Sequence, residues 1–231
     1  MMHRLRQPVG RSLLGALLLC AGWAAQGAEI EARCGVKAYN VWDEADTGAG
    51  FHVTFYLSPA QGDYHPLGVT ADNRDRGQQS TLCLVRDVSP KRDALAPPMD
   101  FVRIWWDRGS SARRDGAIWA PRCPDRYVGL GFMVQASYRK PVPVAPDAIR
   151  CVRKDLTVAA AADARRGGPD GLDGAVFKDT GSRAFEGLSV WGVKAADGFD
   201  AGTVFAWRDH AMPNEKDGPR LIRKSAVRVS E

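Results

Sequence analysis

The sequence is poor in the features that announce a reaction. Of four histidines in 231 residues, only His52, His65 and His210 lie beyond residue 28, and no Gly-x-Ser-x-Gly occurs. A serine or cysteine activated by an oriented imidazole therefore has few places to be built. No Cys-x-x-Cys is present, and the cysteines beyond residue 28 are spaced 49, 40 and 28 residues apart, without the close pairs of a zinc site. Acidic residues are scattered, which leaves no readable carboxylate pair for cleaving a glycoside. Past residue 28 no run approaches 18 apolar residues and none sustains a 3.6-residue apolar period, so a spanning helix and a helical bundle are both disfavoured. These absences point to a binding protein that is not an enzyme and carries no cofactor or metal.

What remains is the composition of a folded chain, with 45% hydrophobic and 26% charged residues. Residues 1–28 have the layout of a secretory signal: basic Arg4, Arg6 and Arg11, an apolar run from Leu13 to Ala25, and small residues at Ala25, Gly27 and Ala28 that suit cleavage before Ala28 or Glu29. Cys20 follows Leu19, not the small residue that precedes a lipidated cysteine, and reads as part of that apolar run. The expected location is secreted or periplasmic. Without the signal, 29 basic residues face 27 acidic ones, and residues 101–154 hold 11 basic against 4 acidic. A near-neutral exported chain is a poor partner for nucleic acid, whereas its basic middle segment suits an anionic surface. Cys34, Cys83, Cys123 and Cys151 form an even set in an exported chain, and two disulfides are expected.

Short apolar and aromatic runs at Phe51 to Leu57, Phe101 to Trp106, Gly129 to Val134 and Thr203 to Trp207 are broken by Gly, Pro, Asp and Asn and read as strands. The one helix candidate is Val158 to Arg166, ended by Gly167-Gly168-Pro169; a loop with one helical turn is expected there. Internal repetition is more telling. Asp107-Arg108-Gly109-Ser110 leads to Trp119 and Asp179-Thr180-Gly181-Ser182 to Trp191, with Asp46-Thr47-Gly48-Ala49 leading to Leu57 as a weaker copy. Tyr64-His65-Pro66-Leu67-Gly68 matches Tyr127-Val128-Gly129-Leu130-Gly131, and Cys83-Leu84-Val85-Arg86-Asp87 matches Cys151-Val152-Arg153-Lys154-Asp155. Three units follow, about residues 29–100, 101–170 and 171–231, the last truncated. Each has room for four strands, and three four-stranded sheets about a pseudo-threefold axis make an all-β single domain of the β-prism kind, whose shared centre would bury the repeated tryptophans. Disulfides Cys34–Cys83 and Cys123–Cys151 would then each lie within one unit.

The series Ile104-Trp105-Trp106-Asp107-Arg108-Gly109-Ser110, Ile118-Trp119-Ala120-Pro121-Arg122-Cys123-Pro124-Asp125-Arg126-Tyr127-Val128-Gly129-Leu130-Gly131 and Arg150-Cys151-Val152-Arg153-Lys154-Asp155-Leu156 resembles the vacuolar protein sorting-associated protein 62 family. The resemblance runs from about Val41 to Trp191. It implies a β-prism related to modules of multivesicular-body adaptors, and through them contact with membranes rich in acidic lipid.

Two groups of residues are candidates for binding. Arg103, Arg108, Arg113, Arg114, Arg122 and Arg126 fall around one turn and its flanking strands, where they would converge on an anionic group beside Trp105 or Trp106. Asp46, Asp107 and Asp179 mark turns that would serve a glycan if their carboxylates are exposed and otherwise cap their own turns. One carboxylate per turn is too few for calcium. An anionic lipid surface is the expected target, a lectin-like role is the alternative, and a protein partner such as a toxin would be signalled by a large exposed apolar patch.

Overall fold

A computed structural model describes residues 27–73, 80–145, 148–163, 174–214, 216 and 218–230. The candidate signal segment lies outside these apart from Gly27 and Ala28. The strands, in chain order, are β1 Ile30–Asp43, β2 Thr54–Leu57, β3 Thr70–Asp72, β4 Ser80–Asp87, β5 Leu95–Ala96, β6 Asp100–Trp106, β7 Ala117–Arg122, β8 Tyr127–Gly129 and β9 Met133–Gln135. They continue with β10 Cys151–Arg153, β11 Thr157–Ala159, β12 Ala161–Asp163, β13 Phe177–Lys178, β14 Ser189–Lys194, β15 Gly198–Phe199, β16 Phe205–Trp207, β17 Arg220–Arg223 and β18 Val227–Val229. Two short 3₁₀ turns, Lys154–Leu156 and Lys224–Ala226, are the helical pieces named among the described residues. The fold is all-β.

The strands do not gather into three four-stranded sheets. They form sheets of five, three, three, four and three strands, because each unit is divided between two tiers. In one tier, the C-terminal half of β1 with β2 and β3, then β6 with β7 and β9, then β13 with β14 and β16, repeat a single antiparallel pattern. In the other tier a central strand recurs: His65 bridges Val85 on β4, Val128 of β8 faces Val152 of β10, and Phe199 of β15 faces Ile222 of β17. The chain crosses between tiers just after Leu67-Gly68, Leu130-Gly131 and, in the third unit, Ala201-Gly202. There Gly68 and Gly131 pack backbone to backbone, and the Val69 N–H donates to the Phe132 carbonyl at 3.0 Å.

Each tier has its own core. Trp42, Phe55, Phe101, Trp105, Ile118, Phe177 and Val190 fill the first; Ile30, Leu67, Leu130, Val152 and Ile222 fill the second. Each fully buried large apolar side chain contributes roughly 1.5–3 kcal/mol. Trp42 and Trp105 meet edge to face, 5.7 Å between ring centres. The two disulfides are Cys34–Cys83, which ties β1 to β4, and Cys123–Cys151, which ties the end of β7 to β10.

Two expectations need correction. The Val158 to Arg166 segment is extended as far as it is described: Val158 pairs with Leu221 and Ala162 with Val193, so ladder hydrogen bonds override alanine's helix propensity, and residues 164–166 lie outside the described residues. The third unit also keeps its last element: Leu221-Ile222-Arg223-Lys224-Ser225 pairs as Cys151-Val152-Arg153-Lys154-Asp155 does, with leucine in place of the cysteine.

Candidate anion-binding surface

In the first tier the three hairpins are closed by loops at 44–53, 107–116 and 179–188, which share one set of bonds. The first residue of each is an acid whose N–H donates across the loop, Glu44 to Val53, Asp107 to Gly116 and Asp179 to Leu188. The hydroxyl residue three positions on then donates its own N–H back to the acid's carbonyl: Thr47, Ser110 and Ser182. Between them the chain passes through positive φ, at Asp46 (66°), Gly109 (97°) and Gly181 (87°), a conformation that glycine adopts freely and aspartate tolerates. The first-unit counterpart of Asp107 and Asp179 is therefore Glu44, and Asp46 stands in the glycine's place.

The three loops lock into a ring. The Gly50 N–H donates to Thr180, that of Phe185 to Arg108 and that of Arg113 to Ala45, each at 3.1 Å. In every case the residue six beyond one acid meets the residue just after another. Inside this ring the acids are sequestered: Glu44, Asp107 and Asp179 are 4%, 1% and 4% exposed. Asp179 accepts from Trp105 Nε1 at 3.0 Å, from the Leu188 N–H at 2.9 Å and pairs with His210 Nε2 at 2.5 Å. Asp107 Oδ1 accepts from the Tyr138 hydroxyl at 2.7 Å while its Oδ2 has no partner among the described residues, and burial holds its carboxyl above the ordinary carboxylate range. Glu44 pairs with His52. The carboxylates of Asp107 and Asp179 are thus turned inward as structural groups, and only Asp46 lies at the surface.

Outside the ring the surface is basic and partly apolar. Trp105 is core, but Trp106 is half-buried, with the Arg103 guanidinium 3.5 Å and that of Arg108 5.1 Å from its ring centre and Tyr138 edge-on at 5.3 Å. Arg208 Nε and Nη2 donate to the carbonyls of Ile104 and Arg103 on the free edge of β6 at 2.7 and 2.6 Å, which gathers a third guanidinium there and covers an otherwise unpaired strand edge. Phe185 is 74% exposed and rests on Gly109, where a Cβ would come within 2.7 Å of its ring.

The six candidate arginines do not all converge. Arg103, Arg108 and Arg113 lie at the loop end; Arg114 is there too, but its guanidinium pairs with Asp43 at 2.9 Å and its carbonyl accepts from Trp42 Nε1. Arg122 faces Asp100 at the far end of the β6–β7 hairpin, opposite the Trp106–Ala117 pair. Arg126 lines a separate cleft of about 810 Å³ with Lys91, Asp93, Arg153 and Asp155. In that cleft Arg153 is already neutralised by Glu29, Asp93 and Asp155 at 2.7, 2.6 and 2.7 Å. Burial and the nearby Arg150 push the His65 imidazole below its ordinary value, and its backbone bridges Val85 as a partly buried structural residue. Phe185 and Arg208 were not foreseen, since they come from the third unit, whose segment is not basic overall; an Arg just after Phe205-Ala206-Trp207 was the available signal.

The family model for vacuolar protein sorting-associated protein 62 matches residues 23–199. The chain belongs to this family. Its fold is similar to that of GNIP1Aa from Chromobacterium piscinae, with a TM-score of 0.73 and 18% identity over 87% of this chain. The match spans 38% of the GNIP1Aa chain, so the likeness is to part of that molecule. No curated protein matches the sequence. Within the family frame, the loop ring and its arginines are what this member places at one end of the first tier. Among the described residues no three His, Cys, Asp or Glu side chains are grouped to hold a metal ion, and no helix is long and apolar enough to cross a membrane.

Proposed function

We propose that this Vps62-family chain is an exported, non-catalytic β-prism-like domain, its three units set about a pseudo-threefold axis, that docks on anionic lipid surfaces through the loop end of the first tier. The observation that carries the reading is the grouping of Arg103, Arg108 and Arg208 around half-buried Trp106, beside the exposed ring of Phe185. None of these arginines is in a salt bridge among the described residues, while Arg114, Arg122 and Arg153 have acids at hand. Arginine near a surface of acidic headgroups gains about 1 kcal/mol each, and an exposed aromatic suits the headgroup boundary. Two disulfides fit an oxidising compartment.

Flotation with neutral and with phosphatidylserine-containing vesicles, at low and moderate salt, tests this. Binding to the anionic vesicles only, weakened by salt and reduced about tenfold or more by Arg108→Glu and Arg113→Glu, is the expected result; Phe185→Ala should lower binding with less change in salt dependence. Equal flotation with both vesicle types, or none, removes the reading. The lectin-like alternative is weakened because Asp107 and Asp179 have their carboxylates engaged inside the ring.

A further inference from the structure

A second basic cluster lies at the opposite end of the 14-residue β1, in a segment whose overall composition is acidic. Strand register creates it. Glu31 of β1 faces Arg228 of β18 on one side and Arg86 of β4 on the other, and strand alternation returns Arg33 to the same face. Arg86 Nη2 reaches Glu31 Oε1 at 2.7 Å and Arg228 Nη2 reaches Oε2 at 2.6 Å. The Tyr64 hydroxyl donates to the same carboxylate. Arg33 and Arg86 sit on the Tyr64 ring, 4.1 and 4.9 Å from its centre. Two guanidiniums therefore share one carboxylate, and a third, that of Arg33, lies against the same tyrosine ring. Arg33 has no acid partner among the described residues, and Arg86 Nε is buried without a hydrogen bond.

The corresponding position in the second unit shows what neutralisation looks like. Arg86 and Arg153 occupy the same place in the repeated pairing, next to Val85 and Val152. Arg153 meets three carboxylates and is a closed ion network; Arg86 meets one, which Arg228 also claims. An excess of two positive charges held on a rigid sheet and braced by an aromatic ring costs stability through like-charge repulsion, and an incoming dianion relieves it. Guanidinium forks match the oxygens of phosphate.

We propose that Arg33, Arg86 and Arg228, set around Tyr64, form a second anion site that takes the dianionic phosphate of a monoester, free or as a lipid headgroup. The site is independent of the loop end and stands on different residues. Calorimetric titration with inorganic phosphate at constant ionic strength is the first arm, and flotation on vesicles of phosphatidylcholine with and without phosphatidic acid is the second. Arg33→Ala and Arg228→Ala are compared with the wild type, with Lys140→Ala as control, since Lys140 belongs to neither cluster and pairs with Asp100 at 3.0 Å. Saturable phosphate binding weakened at least fivefold by Arg33→Ala and Arg228→Ala but not by Lys140→Ala supports a site for free phosphate. Loss confined to phosphatidic acid vesicles in the same two variants supports the headgroup. No binding by the wild type in either arm, or equal binding by wild type and both variants, overturns the proposal. If Arg228→Ala unfolds because Glu31 loses a partner, Arg33→Ala, which leaves no acid unpaired, carries the test.

Discussion

Gly68 and Gly131 touch backbone to backbone: a Cβ on Gly68 would lie 2.7 Å from the Cα of Gly131, and one on Gly131 would lie 2.8 Å from the Cα of Gly68. Neither backbone can yield without moving the crossing between the tiers. Gly68→Ala and Gly131→Ala should each destabilise the protein by about 1–3 kcal/mol, and the double variant should cost less than the sum because both changes open the same gap. Thermal melts that show strict additivity would contradict the contact.

Two acids in equivalent turns should respond oppositely to neutralisation. Asp179 accepts from Trp105 Nε1 on Oδ2 and from the Leu188 N–H on Oδ1, so Asp179→Asn sets an amide N–H against a donor whichever way it turns and should cost about 1–3 kcal/mol. Asp107 has one oxygen unpartnered, and an amide there keeps the Oδ1 acceptor for Tyr138. Because burial raises the Asp107 carboxyl above its ordinary value of 3.8, the folded state binds that proton more tightly than the unfolded chain. Its contribution is full below 3.8 and is lost as pH rises through the folded value. Asp107→Asn should flatten that part of the stability profile and leave stability at neutral pH equal to or above the wild type. Urea melts from pH 3 to 7 decide it; a marked loss at pH 7 would show that the carboxylate charge is needed.

Arg153 joins β1's approach, the loop before β5 and the 3₁₀ turn through three carboxylates, and is only 15% exposed in its side chain. Removing it leaves three acids facing one another. Arg153→Ala should destabilise by about 3 kcal/mol or more, and Arg153→Lys should recover little, since an ammonium cannot serve three acids with a planar fork. Denaturation at low and high salt checks this: the Ala variant should gain stability as salt screens the leftover acids, and salt independence would argue against the network.

The all-β class and the repeat were legible because turn residues and short apolar runs recur at fixed spacing, and both disulfides because the first and second units each hold one pair of cysteines. The tier division was not, since nothing in Leu67-Gly68 or Leu130-Gly131 says that the chain leaves one sheet for another there. Letter matching misplaced the first turn. Asp46-Thr47-Gly48 looks like Asp179-Thr180-Gly181, yet the hydrogen bonds align Glu44 with Asp179, because what is repeated is a buried acid two residues before a positive φ. The basic segment drew attention to Arg103, Arg108 and Arg113, which do share an end, but composition by segment is blind to clusters assembled across the sequence. Arg33, Arg86 and Arg228 are such a cluster, made by strands from the two ends of the chain.

The disulfides provide the last prediction. Cys34–Cys83 closes 49 residues and Cys123–Cys151 closes 28, so restriction of the unfolded chain is worth about 4 and 3.5 kcal/mol respectively. In the folded protein the first pair links β1 and β4, strands already joined by a long ladder from Ile30–Asp87 to Ala38–Ser80. The second links β7 to β10, which lie in different sheets. Loss of the first bond should therefore lower global stability while leaving native-state exchange of the β1 and β4 amides in step with the rest. Loss of the second should also free the segment between β9 and β10 to open locally at a lower free energy than the whole. Paired Cys→Ala variants, studied by denaturant melts and amide hydrogen exchange, separate the two cases. If exchange accelerates uniformly in both variants, the second bond acts on the unfolded chain alone.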